Sequence, residues 1–345
     1  MRRFRGSLLL AVLSMMAVSL LPIGSGLTAA AAQDGETMPL TMVVPNPSCF
    51  VFYPLYVAIQ EGYYADRGLD ITVEAVDGSA SVLQAMAGGQ AQLGAPGPGP
   101  VLNAQARGED IAYFYNQYPK GVFGLVVPED SEAQAPDGLR GQTIGVGTAD
   151  GAEVSLARAI FSGLGWEEGT DYEFLPVGDG GQAAAAFERG EIVAYMAAVS
   201  DMAILNSVGV PVRDITPPDY QFFIGNGYAA SRAFIDENPE VIVTIGQGVA
   251  WASEWGRENK DQVIADCAEV NPQEGENQEL ASALYNASTA QMEPVTEDKR
   301  WGYMPPEHWE QIMQDLVEAG ELEEELDVTQ AYTNEFVDQY QEFER

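Results

Sequence analysis

An α/β protein of two lobes, each a mixed and mostly parallel sheet flanked by helices, is the fold that this chain of 345 residues predicts. Three observations carry the expectation. Short β-branched runs alternate with helical periods from Leu40 onward, the alternation restarts after Pro128, and two extended apolar segments, residues 122–128 and 222–228, stand at the junctions. Strands that alternate with helices are joined by crossovers, which favours parallel pairing with both sheet faces covered. The hydrophobic content of 46% is ample for such cores.

In the first unit, residues 40–44 and 69–76 read as strands, with a helix over 53–67 between them. Gly68 sits where a helix carboxyl cap takes a left-handed residue. A helix over 79–87, a short strand at 92–94 and a helix over 100–106 follow. The second unit reads as strand 143–146, helix 152–164, strand 173–177, helix 181–189 and strand 192–198. Beyond Arg232 the chain turns helical, with Ile242, Ile245, Val249 and Ala252 at spacings of three and four. The second unit is therefore expected as an insertion in the first. Residues 33–126 and 224–345 would form one lobe and residues 127–223 the other. The two crossing segments would be the hinge, where the glycines at 124, 225 and 227 could absorb dihedral change.

The charge balance is lopsided: 52 acidic residues against 16 basic ones give a formal net charge of -36. Nucleic acid is excluded as a partner, because a phosphate backbone is bound by basic stripes that release counterions. Lysine occurs only as Lys120, Lys260 and Lys299, while the acids are scattered along the chain. A charge excess for solubility explains this most simply. Adaptation to a saline medium is the alternative, and it predicts a melting temperature that climbs between about 0.1 M and 2 M NaCl as screening shortens. A flat profile would leave solubility as the whole explanation.

Residues 1–32 read as a secretory signal peptide. Arg2, Arg3 and Arg5 precede an apolar run over residues 8–23, and Ala29, Ala30, Ala31 and Ala32 offer a cleavage site, placed here after Ala32. The run falls short of the roughly 20 residues that a bilayer span needs. The chain is thus expected to work in the periplasm. Cys49 and Cys267 are its only cysteines. An oxidising compartment permits a bridge, but two cysteines make no framework, and two separately buried thiols are the favoured reading.

Ligand-contacting chemistry is expected in the loops that follow the strands. The first carries Asn46 between prolines, then Phe50, Phe52 and Tyr53 before a helix, where a ring would stack on a flat ligand. The second, around Pro96 and Gly97, is uncharged and ends where a helix begins, so free N–H groups would face the cleft. Asn116 and Gln117 lie among the rings of Tyr113, Phe114, Tyr115 and Tyr118, just before the first crossing segment. In the second lobe, Gly147, Thr148, Ala149 and Asp150 lead from a strand into a helix, and their spacing departs from a dinucleotide fingerprint. Asp179 and Ser200 occupy the next two loops, and Asn226 lies at the return crossing. Catalytic constellations are missing. His308 is the only histidine, and no nucleophile elbow, zinc motif or phosphate-binding loop occurs. Neither metal nor cofactor is expected.

Five blocks of residues also carry a resemblance. Residues 54–70 (PLYVAIQEGYYADRGLD), 139–146 (LRGQTIGV), 183–194 with Gly190, 234–240 (FIDENPE) and 332–336 (YTNEF) resemble, in order and spacing, the nitrate, sulfonate and thiamine-pyrimidine family of ABC-transporter substrate-binding proteins. The resemblance implies a periplasmic binding protein type II fold: a monomeric two-lobed receptor that closes on a small organic ligand and delivers it to an ABC permease. Carried over by position, it implies Asn46, Phe52, Pro96, Gly97, Asn116, residues 147–150 and Asn226 as ligand contacts. There are two departures. Pyrimidine-synthesising enzymes of the same fold carry a catalytic histidine and a cysteine cluster that this chain lacks, leaving Lys120 as the sole candidate for covalent cofactor chemistry. The expected loops also hold no arginine for a sulfonate or nitrate. A heteroaromatic, pyrimidine-like ligand is therefore expected, with an alkylsulfonate, nitrate or aromatic carboxylate as alternatives, and a ligand-presenting sensory protein as another class.

Overall fold

The computed structural model describes residues 37–344, so the expected signal peptide lies outside the described residues. In chain order its strands and principal helices are β1 (Met38–Val44), α1 (Tyr53–Gln60), β2 (Leu69–Ala75), α2 (Gly78–Ala87), β3 (Leu93–Gly94), α3 (Pro98–Ala106), β4 (Ile111–Tyr115), β5 (Phe123–Pro128), β6 (Thr143–Val146), α4 (Ala152–Gly163), β7 (Glu173–Pro176), α5 (Gly180–Glu188), β8 (Ala194–Ala198), α6 (Val199–Ser207), β9 (Val212–Asp214), β10 (Tyr228–Ser231), α7 (Arg232–Glu237), α8 (Pro239–Glu258), α9 (Lys260–Val270), α10 (Pro272–Gly275), α11 (Gln278–Met292) and α12 (Pro306–Glu318).

The strands make two five-stranded sheets, in the orders β2-β1-β3-β10-β4 and β7-β6-β8-β5-β9. In the first, β1 runs parallel to β2 and β3, and β10 runs antiparallel to β3 and β4. In the second, β6 is parallel to β7 and β8, and β5 is antiparallel to β8 and β9. The chain leaves the first sheet after β4, completes the whole second sheet, and returns at β10. Every residue of β4 is buried, as expected of a sheet covered on both faces.

Local chemistry explains most boundaries. Pro54 opens α1, whose missing N–H costs nothing there. The expected helix over 53–67 stops at Gln60, because the chain turns at Gly62 (φ 78°), makes a short 3-10 turn at Ala65–Arg67 and turns again at Gly68 (φ 76°). The second crossing differs from expectation in its conformation, with strand pairing beginning only at Tyr228. Its glycines are there for space: a Cβ on Gly227 would lie 2.5 Å from the Tyr113 ring, and one on Gly225 would lie 2.6 Å from Val122.

The first sheet packs on α1, α8, α9 and α11 through rings such as Tyr53, Tyr64, Tyr228 and Tyr340. A second core runs from α2 and α3 through α12 to α4, β5 and β6, so α12 joins the helices of both sheets. Trp309 of α12 is fully buried, stacked on Tyr332 at 5.4 Å and edge-on to Tyr113 at 5.0 Å. The cysteines overturn the expectation of two separate thiols. Cys49 and Cys267 are disulfide-bonded, with Cα atoms 5.3 Å apart across a separation of 218 residues. Packing of α9 against α1 brings them together, which distance along the chain does not reveal.

Candidate functional site

The loops after β1 and β2 of the first sheet face those after β6, β7 and β8 of the second across a cavity of about 290 Å³. Each wall is fixed by short hydrogen bonds. On the first side, Asn46 Oδ1 accepts from the Ser48 N–H at 3.0 Å, an Asx turn that holds residues 45–48 against the cavity. Ser79 Oγ accepts from the Gly97 N–H at 3.0 Å and ties the start of α2 to that of α3. Gly78 is left-handed (φ 76°), and a Cβ there would sit 2.7 Å from Thr148 Oγ1 of the opposite wall, so only glycine fits.

On the second side, Asp201 acts as a structural clamp. Its Oδ1 accepts from the Gly180 N–H at 3.1 Å, and its Oδ2 accepts from the Ala198 N–H at 3.0 Å, fixing the starts of α5 and α6. Tyr195 Oη lies 3.2 Å from Asp201 Oδ2 and 3.0 Å from the Gly178 carbonyl. Glu153 Oε1 accepts from the Thr148 N–H at 3.1 Å. Three oxygens converge over Gly147: a Cβ there would lie 3.2 Å from Glu153 Oε1, 3.3 Å from Asp179 Oδ1 and 3.7 Å from Tyr195 Oη.

Glu153, Asp179, Asp201 and Glu274 all line the cavity, and among the described residues no lysine, arginine or histidine does. Burial pushes the Glu153 carboxyl up to about 7, and the charges of Asp201 and Asp179 push it the same way. Burial and Asp179 raise Asp201 to about 6. Asp179 is raised by burial and by Asp77, and Glu274 by burial. Desolvated carboxylates at close quarters repel one another and favour any group that supplies N–H donors or positive charge. An anion gains nothing from such a wall.

Six of the expected site residues line the cavity: Asn46, Gly147, Thr148, Asp179, Ser200 and Asn226. Asn226 is held by donating to the Ala95 carbonyl at 2.9 Å. The others lie elsewhere. Pro96 and Gly97 stand behind the wall, where the Pro96 carbonyl accepts from Tyr113 Oη and Gly97 lies against Ala152. Ala149 and Asp150 are exposed, and Asp150 borders a different hollow. Phe50, Phe52 and Tyr53 are fully buried in the first core, where the start of α1 turns them inward. Asn116 is buried and donates to the Tyr303 carbonyl at 3.1 Å. The rings that do line the cavity are Phe123 and Tyr195. Glu153, Tyr195 and Glu274 were not singled out by the sequence. Asp201 adjoins Ser200 in a loop whose sequence suits a cleft rim and a helix cap almost equally, and the structure makes it a cap that also lines the cavity.

A model of the NMT1/THI5-like family matches residues 49–262, more than half of the chain. The chain belongs to the NMT1/THI5-like family. This member is 27% identical over 301 residues to the riboflavin-binding protein RibY of Chloroflexus aurantiacus, an alignment covering 85% of this chain and 84% of RibY. It is 21% identical over 215 residues to a formylaminopyrimidine-binding protein of Halalkalibacterium halodurans, covering 61% and 64%. Among solved structures it resembles the alkanesulfonate-binding protein SsuA of Xanthomonas axonopodis pv. citri, with TM-score 0.66, 18% identity, and 88% and 99% of the two chains covered. The fold is that of the periplasmic binding proteins. The desulfurization enzyme DSZB shares it, with TM-score 0.56, 16% identity and coverage of 88% and 98%. Among the described residues, no helix is long and apolar enough to cross a membrane, and no three His, Cys, Asp or Glu side chains group as metal ligands.

Proposed function

We propose that this NMT1/THI5-like protein is the extracytoplasmic receptor of an ABC importer. It captures a compact nitrogen heteroaromatic in the cavity between its lobes and hands it to a permease. The carrying observation is a cavity lined, among the described residues, by four acidic side chains and no basic one. Such a wall suits a ring edge that presents amino or ring N–H groups, and opposes a sulfonate, nitrate or carboxylate. The family and its two named binding-protein relatives support the role of receptor. A volume of about 290 Å³ favours a single ring over the three fused rings and side chain of riboflavin. A ligand touching both lobes would stabilise the closed arrangement, and recognition of that arrangement by the permease couples binding to transport. The basic start and apolar run of residues 1–32 support export.

The enzyme reading finds no support at the cavity. Lys120 donates to the Ala290 carbonyl at 3.0 Å and faces Glu293 at 3.4 Å, and His308 of α12 lies beside Phe222; neither Lys120 nor His308 lines the cavity. A melting-temperature screen tests the proposal with formylaminopyrimidine, 4-aminopyrimidine, riboflavin and MOPS as probes. The aminopyrimidines are expected to stabilise the protein, by about 2.7 kcal/mol at a hundredfold excess over Kd, and MOPS is expected to leave it unchanged. Stabilisation by MOPS alone, or chemical conversion of any probe, would overturn the reading.

A further inference from the structure

Glu321 stands just beyond α12, the helix that packs against both α3 of the first lobe and α4 of the second. Gly320 (φ 74°) ends the helix in a left-handed turn, and the Glu321 side chain is only 8% exposed. Its Oε2 accepts from Asn103 Nδ2 of α3 at 3.0 Å and from Ser155 Oγ of α4 at 3.1 Å. Its Oε1 meets Arg158 Nη1 of α4 at 3.4 Å. One largely buried carboxylate thus gathers donors from the helices of both sheets.

The two helices also approach each other closely. A Cβ on Gly97 would fall 2.2 Å from Ala152 Cβ, and one on Gly99 would fall 2.7 Å from Ser155 Oγ. Glycines at the start of α3 thus let the small side chains of Ala152 and Ser155 on α4 come against its backbone, so any separation of the lobes here carries Ser155 and Arg158 away from Asn103. Glu321 then keeps donors from one side only. A buried charged acceptor that loses its donors bears the full cost of desolvation, whereas the intact set satisfies it.

We propose that Glu321 is an interlobe clasp that weights the closed arrangement over the open one in the absence of ligand. It lies outside the cavity wall, bordering a separate hollow of about 460 Å³. It therefore acts on the population of the binding-competent form and touches no ligand. The apparent affinity of any ligand scales with that population. This goes beyond the receptor proposal and requires no ligand to be tested.

The test is a distance measurement between nitroxide labels on Asp70→Cys and Glu173→Cys, two exposed positions on the outermost strands of the two sheets, with the native disulfide intact. In ligand-free protein, Glu321→Ala is expected to lower the closed-to-open ratio about tenfold, the weight of one hydrogen bond to a charged group. Ser155→Ala should shift the ratio the same way by less, and adding it to Glu321→Ala should change nothing more. If Glu321→Ala fails to fold, Ser155→Ala and Arg158→Ala decide the matter. Folded variants that keep the parent's distance distribution would overturn the proposal.

Discussion

Glu153→Gln is expected to raise the melting temperature of the ligand-free protein above pH 7 and to flatten its dependence on pH below that. The carboxyl is buried and raised from an ordinary 4.5 to about 7, while Asp201 is raised from 3.8 to about 6. Both therefore bind protons more tightly folded than unfolded. Where the folded state holds more protons, stability falls as pH rises. The loss should begin near pH 4, proceed through about pH 7 and be complete above it, because there both carboxylates are ionised and desolvated. For Glu153 the difference is on the order of 3 kcal/mol. Glutamine keeps an oxygen for the Thr148 N–H without the charge. Asp201→Asn should behave oppositely and destabilise at every pH. Asp201 takes backbone donors on both oxygens, and an amide offers only one acceptor. Melting curves from pH 4 to 9 on the three proteins would show this, and a parent whose stability rises between pH 5 and 7 would refute the electrostatic account of the cavity. The same substitution should weaken capture of an aminopyrimidine, because it puts a donor where the ligand's donors need an acceptor.

The fold was readable because its signals are local. Alternating runs such as Leu40–Thr41–Met42–Val43–Val44, a glycine at a helix end such as Gly68, and spacings of three and four in α8 each report on the residues that bear them. The cavity was readable only in part. Loops that follow strands can be located, which brought Asn46, Gly147, Thr148, Asp179, Ser200 and Asn226 into view. Which way a side chain turns within a loop is decided by packing from distant elements. Phe50, Phe52 and Tyr53 are as suited to stacking on a ligand as to filling a core, and burial beneath α1 and α11 claims them for the core. Glu153 illustrates the reverse. In a chain with 52 acids nothing marks one of them as buried, and only the approach of α4 to the loop after β6 makes it so.

Breaking the disulfide with Cys49→Ala and Cys267→Ala together is expected to cost about 2–5 kcal/mol of stability, a drop in melting temperature of roughly 5–10 °C. The bond closes a loop of more than 200 residues, so it restrains the unfolded chain strongly. Its second effect is local. Residues 45–48 and Asn271, Gln273 and Glu274 line one side of the cavity, and the bond joins the backbone just after the first segment to the helix just before the second. Two hydrogen bonds run beside it: the Cys49 N–H donates to Glu274 Oε2 at 3.0 Å, and Asn271 Nδ2 donates to the Pro47 carbonyl at 3.4 Å. Without the covalent link, hydrogen bonds such as these and the packing of α9 against α1 are left to hold the wall. Ligand capture should therefore weaken at temperatures well below the lowered melting point, where the lobes remain folded. Reduction of the parent protein should reproduce both effects. If full reduction, verified by thiol titration, left melting and binding unchanged, the bond would hold neither the fold nor the wall, and hydrogen bonding and packing around α9 would have to account for both.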